Sequence, residues 1–369
     1  MSSTGIKSRL LNRLDANIAQ AKDLTPQACL KVQRALLFAR HGRMAEAREQ
    51  LTGLHQLAFQ HPNPEIGAWL HYAEGMMSYY TDFSSAAQEK IARAKSVAGS
   101  VAQTELAALC AAWLAQLAYV RHQPTEMLQH ARECDALAAA NHHAARYRLC
   151  TVMGLAHHYA DQSTAAQTWY AKARGHASAE GDDALLSALM FNTAEMRTAQ
   201  TRRESLSRVV PGNVGLLLGA DSIRHYDAAV GVSAMPGLTS VLRAQVLTVG
   251  GEFAQAQALY EAHLPQAMSA GLSRLGSSLL ADLAWCRVNT GQQAQALQQA
   301  REAESELDPA CDLDDRAATH SRLAQVYAAL GDAVAAERHA TSAAAEWREF
   351  AAEQAAWAQA LAAAGLLPR

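Results

Sequence analysis

Valine and isoleucine are scarce in this sequence, and apolar and polar residues never alternate for long. A sheet would need that alternation or dense β-branched runs, so sheet-based folds are excluded. The six cysteines, Cys29, Cys110, Cys134, Cys150, Cys286 and Cys311, lie far apart and form no C-x-x-C pair. Scattered single cysteines fit reduced, buried thiols in a cytoplasmic protein. No apolar run approaches the ~20 residues that span a bilayer. The mildly basic, amphipathic start "TGIKSRLLNRL" lacks the unbroken apolar core of a signal peptide. A basic block is missing too: the net charge is -3, with cations and anions interspersed. Nucleic-acid binding needs Lys and Arg gathered on one face, so neither a membrane nor a nucleic-acid partner is expected. Aromatic residues make up only 6% of the chain, which makes any gathering of them informative.

What is present is helix. Half of the residues are apolar, and alanine leads, followed by Leu, Gln, Glu and Arg, all strong helix formers. Short stretches of one kind recur: "HGRMAEAREQL" at Gly42, "GGEFAQAQALY" at Gly251, "TGQQAQALQQA" at Gly291 and "LGDAVAAERHA" at Gly331. An alanine follows five residues after each glycine, at Ala47, Ala256, Ala296 and Ala336. Looser copies place its equivalent at Ala87, Met127 and Ala166. The intervals are about 40 residues, with one double interval between Ala166 and Ala256 that leaves room for a degenerate unit near Leu206. Fixed-period self-similarity predicts an all-α solenoid, a right-handed superhelix of about eight helix-turn-helix repeats. The turn glycine supplies a positive φ, and the alanine lets two helices approach closely.

Gly250-Gly251-Glu252-Phe253 looks like the signature of enzymes that make cyclic dinucleotides. That signature carries one more acidic residue and sits on a hairpin in an α/β domain. Here the flanks are helical, so the run is expected to be an inter-helix turn.

The repeats resemble those of the tetratricopeptide (TPR) superfamily. Leu323, Ala324, Tyr327, Gly331, Asp332, Ala336 and Ala343 of the last unit fall at consensus positions. So do Gly154, Ala166, Tyr170 and Ala173 of the fourth, and Gly75, Ala87 and Ala94 of the second. The family's tryptophan is replaced by His320, its closing proline is mostly absent, and its period is shorter, at about 34 residues. The longer interval is more similar to the superhelical sensor domain of maltose-activator-type bacterial regulators, over roughly residues 25 to 345. The regulators' nucleotide-binding motif and helix-turn-helix are not found in this sequence.

The expected organisation is a capping helix over 1–24, TPR-like repeats over 25–200 and 241–343, and a capping helix over 344–369. Residues 201–240, with five glycines, Pro211 and Pro236, form a degenerate zone. It is either a divergent repeat with a longer loop or a flexible joint or ligand-contacting insertion. Pro265 should end or kink its helix. Trp347, Phe350 and Trp357 suggest either a solvated cap or a homodimer contact through the last helix.

The resemblance also implies which residues face the concave groove, one set from the first helix of each unit. These are Trp69, Tyr72, Met76, Tyr79 and Tyr80 in the second unit and Gln116 and Tyr119 in the third. In the fourth they are Arg148, Thr151, His158 and Tyr159; the fifth and seventh add Phe191, Glu195, Trp285 and Asn289. Aromatics with polar tips suit a binding face, although Tyr79 and Tyr80 could equally fill gaps between helices. The histidines between His122 and His176 come as adjacent pairs, which diverge on a helix, so no metal site is expected. Asp308, Asp312, Asp314 and Asp315, and likewise Asp182 and Asp183, read as helix caps. No catalytic residue and no cofactor is expected. The function implied is a non-enzymatic scaffold or sensor holding a peptide, a partner protein or a small effector. The alternatives are the sensory part of a regulator whose output domain is absent, and a helical-repeat enzyme with its site in the groove.

Overall fold

The computed structural model describes residues 6–82, 86–207, 214–231, 237–269, 275–309 and 311–368. Pro211, Gly212 and Pro236 lie outside them. Among the described residues the fold is all-α, an α-solenoid of seventeen helices with no strand. After α1 (Arg9–Gln20) the helices run as eight hairpins. These are α2 (Leu24–Arg40) with α3 (Met44–Gln60), α4 (Pro64–Asp82) with α5 (Ala86–Ser100), α6 (Thr104–Val120) with α7 (Pro124–Leu137), and α8 (His143–Tyr159) with α9 (Ser163–Glu180). Then come α10 (Asp183–Ser205) with α11 (Val214–Val230), α12 (Leu238–Val249) with α13 (Phe253–Ser269), α14 (Gly276–Asn289) with α15 (Gln293–Ser305), and α16 (Leu313–Ala329) with α17 (Ala333–Ala364). Of the zone 201–240 the described residues hold the end of α10, all of α11 and the start of α12, and α10 packs against α11 through Met190, Phe191 and Ala194 beside Ala220 and Ile223.

The chain forms two compact units. Unit 1 comprises 1–189, 227–234 and 354–369; unit 2 comprises 190–226 and 235–353. Within unit 1 the first helices α2 and α4, and α6 and α8, pack side by side, as do α12, α14 and α16 within unit 2.

The recurring turn explains the period. Gly42, Gly251, Gly291 and Gly331 have φ between +79° and +84°. The Glu252 amide donates to the Leu247 carbonyl at 3.0 Å, closing the turn around Gly251 between α12 and α13. Where glycine is missing, His122 and Asp161 take the same left-handed conformation, at +55° and +57°, a strained choice that His and Asp tolerate better than most residues. The residue five positions on, Ala47, Met127, Ala166, Ala256 or Ala296, is sealed between the helices.

Three expectations change. Pro265 neither ends nor breaks α13, which continues to Ser269; proline costs one backbone bond there, and the buried Leu264 and Ala267 keep that turn packed. The tail expected from residue 344 is no separate cap but the continuation of α17, unbroken over 32 residues. Its aromatics are already used within the chain. Trp347 donates its indole N–H to Ser321 Oγ at 2.9 Å, Phe350 is buried, and Trp357 packs edge-on against Tyr119 and Tyr159. The exposed aromatic face that a dimer through this helix would need is therefore absent.

Candidate functional site

In unit 1 the first helices converge on one cavity of about 250 Å³. Its lining follows helical spacing. Gln33, Leu36 and Arg40 come from α2, Trp69 and Tyr72 from α4, Glu105, Leu109 and Trp113 from α6, and His143, Tyr147 and Arg148 from α8. Each set is spaced three or four residues apart, with Arg148 directly following Tyr147, so one face of each helix looks inward. Leu10 and Leu14 of α1, with Glu180 and Leu185 from either side of the turn before α10, add to the wall. α1 is held there by its own ties to the turn before α10: the Leu10 amide donates to the Gly181 carbonyl at 3.0 Å, and Arg13 meets Glu180 at 3.1 Å. Beyond capping α2, the N-terminal helix thus walls the groove of unit 1.

The charges in this wall are unevenly matched. Arg40 is neutralised by Asp182 at 2.7 Å. Arg148 is only 9% exposed, and among the described residues no carboxylate pairs with it. Its guanidinium carbon lies 3.8 Å above the Trp113 ring centroid, its Nη1 reaches Gln116 Oε1 at 3.4 Å, and its Nε has no partner. Tyr72 is 3% exposed, and burial raises the pKa of its phenol far above the ordinary value. Tyr147 by contrast is satisfied, donating to the Leu185 carbonyl at 2.7 Å.

The expected site residues therefore divide. Trp69, Tyr72 and Arg148 line the cavity. Tyr79 and Tyr80, both half-buried, join it through Trp113, whose centroid lies 5.1 Å from Tyr79 and 6.4 Å from Tyr80, and Gln116 joins through Arg148. Met76, at 1% exposed, belongs to the core and does not line the cavity. Thr151 is buried too, its hydroxyl bound to the Tyr147 carbonyl. Tyr119 and Tyr159 are covered by Trp357, and His158 is buried with its ring tilted against Tyr170. Phe191, Glu195, Trp285 and Asn289 belong to unit 2. Phe191 packs against its core, Trp285 packs edge-on to Phe253, and Asn289 is exposed with its amide on the Trp285 carbonyl.

Trp113 and Tyr147 were missed. Each sits one position off the register read from the resemblance, but each lies four residues after another wall residue, Leu109 and His143, a signal present in the sequence.

Among the described residues no group of three or more His, Cys, Asp or Glu side chains could hold a metal ion. The histidines meet in pairs instead: His143 and His176 at 3.1 Å, His320 and His339 at 2.8 Å, Nδ1 to Nδ1 in both. Burial pushes the thiols up, Cys29 to about 11 and Cys134, Cys150 and Cys286 to about 12, the reverse of an activated nucleophile. No helix among the described residues is long and apolar enough to cross a membrane.

No protein-family model matches this chain, and no curated protein sequence does. The fold does have solved counterparts. A crystal structure of a Rap protein complexed with competence and sporulation factor superposes with a TM-score of 0.56, covering 93% of this chain and 92% of that one at 11% identity. The chain has a TPR-like helical-repeat fold. At that identity the likeness carries the fold alone, and it does not single out the maltose-activator type.

Proposed function

We propose that this chain is a non-enzymatic TPR-like scaffold or sensor that holds a polypeptide segment along the inner face of unit 1. The observation that carries this is the convergence of Trp69, Tyr72, Trp113 and Tyr147 with Arg148 on one cavity. Large rings with polar tips beside an arginine are the residue types that anchor protein interfaces. A cavity of 250 Å³ is smaller than the ~300–1,000 Å³ of typical small-molecule sites. It suits one or two side chains of a longer segment better than a whole cofactor. The solved Rap protein was crystallised with a bound factor, and that a chain of this fold accommodates a partner lends support. The buried thiols fit a reducing, cytoplasmic setting, and a sensory role within a signalling or transcription regulator is the finer form of the same proposal.

The enzyme alternative draws on one observation, the Glu195 carboxyl of unit 2, pushed up to about 7. The charges that act on it are Asp314, Arg203 and Asp312, and no nucleophile is among them.

Peptides selected from a display library on the full chain test the proposal, followed by titration into variants. Trp69→Ala should weaken binding by about 1–3 kcal/mol, while Trp285→Ala should leave it unchanged. Peptides that bind both variants like the parent would overturn the groove assignment.

A further inference from the structure

The first helices α2, α6, α8 and α16 each run 17 residues, but α10 runs 23. Within unit 2 it packs on α12 through Met190, Phe191 and Ala194 beside Leu242. Its added length then continues across the next two first helices. Arg202 donates its Nε to Asp282 at 2.6 Å and its Nη2 to the Ser278 carbonyl at 3.1 Å, two groups one turn apart on α14. Arg203 donates to Asp314 at the start of α16 at 3.4 Å and lies over the Phe350 ring of α17 at 5.1 Å. Just past the helix, the Leu206 carbonyl accepts from Gln325 Nε2 of α16 at 3.0 Å. Residues 200–205, "QTRRES", contain no apolar side chain. The seat is therefore made of ion pairs and hydrogen bonds, and a segment with so few apolar contacts belongs to the part of a fold that opens most readily.

We propose that residues 195–206 form a strap across α14 and α16, and that loss of a proton from the acids gathered at Glu195 loosens it. The inference goes beyond the groove of unit 1 and does not rest on it. Glu195 stands two turns before Arg202 on α10, and α16 brings Asp312, Asp314 and Asp315 at its N-terminal end. The groups facing this cluster are Arg202 and Arg203 of α10, Asp282 of α14, Arg322 of α16, which is held by Asp282 at 2.8 Å, and the Tyr260 phenol of α13, which burial keeps neutral. Burial first, then Asp314, pushes the Glu195 carboxyl up to about 7, with Arg203 opposing and Asp312 adding to the rise. Burial and Asp314 raise Asp315 as well, against Arg202. The closed strap thus holds a proton more tightly than the open one, so closure is favoured below that value and weakens as pH rises through it. What drives the loosening is a charged Glu195 on α10 set against the aspartates of α16. Near neutral pH the strap converts a small change in acidity into cover or exposure of Ser278, Asp282 and Gln325.

Amide hydrogen exchange of the full chain, read by mass spectrometry, tests this. A helix this short is marginal once undocked, so peptides covering 195–206 report the opening, and peptides from 238–269 report loosening of unit 2 as a whole. Rates are corrected for the intrinsic pH dependence of exchange. A proton held at about 7 in the closed state and near ~4.3 in the open one makes opening rise about tenfold between about pH 6 and about pH 8. Glu195→Gln should abolish that rise, with the strap staying protected at the higher pH. Arg203→Ala should expose 195–206 at both pH values while 238–269 stays protected. A parent whose opening does not change with pH, or a Glu195→Gln variant that shows the same rise, overturns the proton dependence. An equal rise over 238–269, or an Arg203→Ala variant as protected as the parent, overturns the strap.

Discussion

Arg40 donates its Nε to a carboxylate oxygen of Asp182 at 2.7 Å across 142 residues of sequence. The other oxygen lies 3.1 Å from His41 Nε2 and accepts the Ala184 amide at 3.2 Å, so one buried acid ties α2 to the start of α10 and caps that helix. Burial alone would raise the Asp182 pKa, but Arg40 and the His41 bond together hold it below the usual carboxylate range. Asp182→Asn keeps the shape and strands the arginine. Removing one partner of a buried pair costs about 3–5 kcal/mol, and urea unfolding of the variant should show a loss of that size. Arg13→Ala, which breaks the exposed pair to Glu180, should cost ~1 kcal/mol or less.

Unit 2 has a matching device. Asp282 has no exposed surface and faces Arg202 Nε at 2.6 Å and Arg322 Nε at 2.8 Å. Desolvation works against its charge, yet the two guanidinium groups hold its pKa below the ordinary value. A carboxyl depressed in the folded state contributes stability that is present above its unfolded pKa of about 3.9 and lost as pH falls through the lower folded value. Melting temperature should therefore hold its Asp282 contribution at neutral pH and lose it only below about pH 4. Asp282→Asn should remove that acid limb from the difference between parent and variant. A variant whose deficit is the same at about pH 3 as at neutrality would contradict this.

How much of this was legible in the sequence depends on distance along the chain. The 40-residue period could be read because its causes are local: a positive-φ slot at Gly42 or Gly251 and a close-packed alanine five residues later. The slot outlives the glycine at His122 and Asp161, which is why the looser copies still counted as units. The site was less legible. Trp69, Tyr72 and Arg148 came from register on single helices, and they do line the cavity. That Trp357 covers Tyr119 and Tyr159, that Asp182 spends its charge on Arg40, and that Arg148 is left unmatched are facts about partners remote in sequence. No periodicity carries them.

The Glu195 carboxyl gives a pH effect of the opposite sign. Burial first, then the nearby charges of Asp314 and Asp312, push its pKa up to about 7, with Arg203 opposing. The folded state therefore holds the proton more tightly than the unfolded chain, whose glutamate titrates near ~4.3. Between those two values stability should fall as pH rises, and above them the loss is complete. Glu195→Gln removes the titration. Its melting temperature should exceed the parent's at about pH 8 and match it near about pH 4. Parallel curves across that range would show that Glu195 is solvated like any surface acid.

Gly154 of α8 tests the close approach of a hairpin. A Cβ there would sit 2.5 Å from a ring carbon of Tyr170 on α9. Alanine is the better helix former by up to ~1 kcal/mol, so propensity alone would make Gly154→Ala stabilising. The overlap is with a ring whose neighbours are packed, and overpacking costs about 1–3 kcal/mol. A net loss on urea unfolding is expected, and its rescue in a Gly154→Ala, Tyr170→Leu double variant would assign the loss to that contact.

Tyr79 and Tyr119 occupy equivalent positions on α4 and α6, both half-buried, yet their surroundings set them apart. Tyr119 lies edge-on to Trp357 at 5.7 Å and to Tyr159 at 6.5 Å, so it packs the end of α17 against α6 and α8 within unit 1. Tyr79 lies 5.1 Å from Trp113 and 5.8 Å from Tyr80, beside the ring on which Arg148 is stacked. Tyr119→Ala should therefore cost ~2–4 kcal/mol of stability, near the range for buried rings, and should leave a groove-binding peptide's affinity unchanged. Tyr79→Ala should do the reverse: affinity falls by about 1–3 kcal/mol as an interface anchor is lost, with a smaller stability cost. Thermal melts and a peptide titration on the same two variants decide it. Equal stability losses with equal affinities would return Tyr79 to the core and leave the cavity to Trp69, Tyr72 and Arg148 alone.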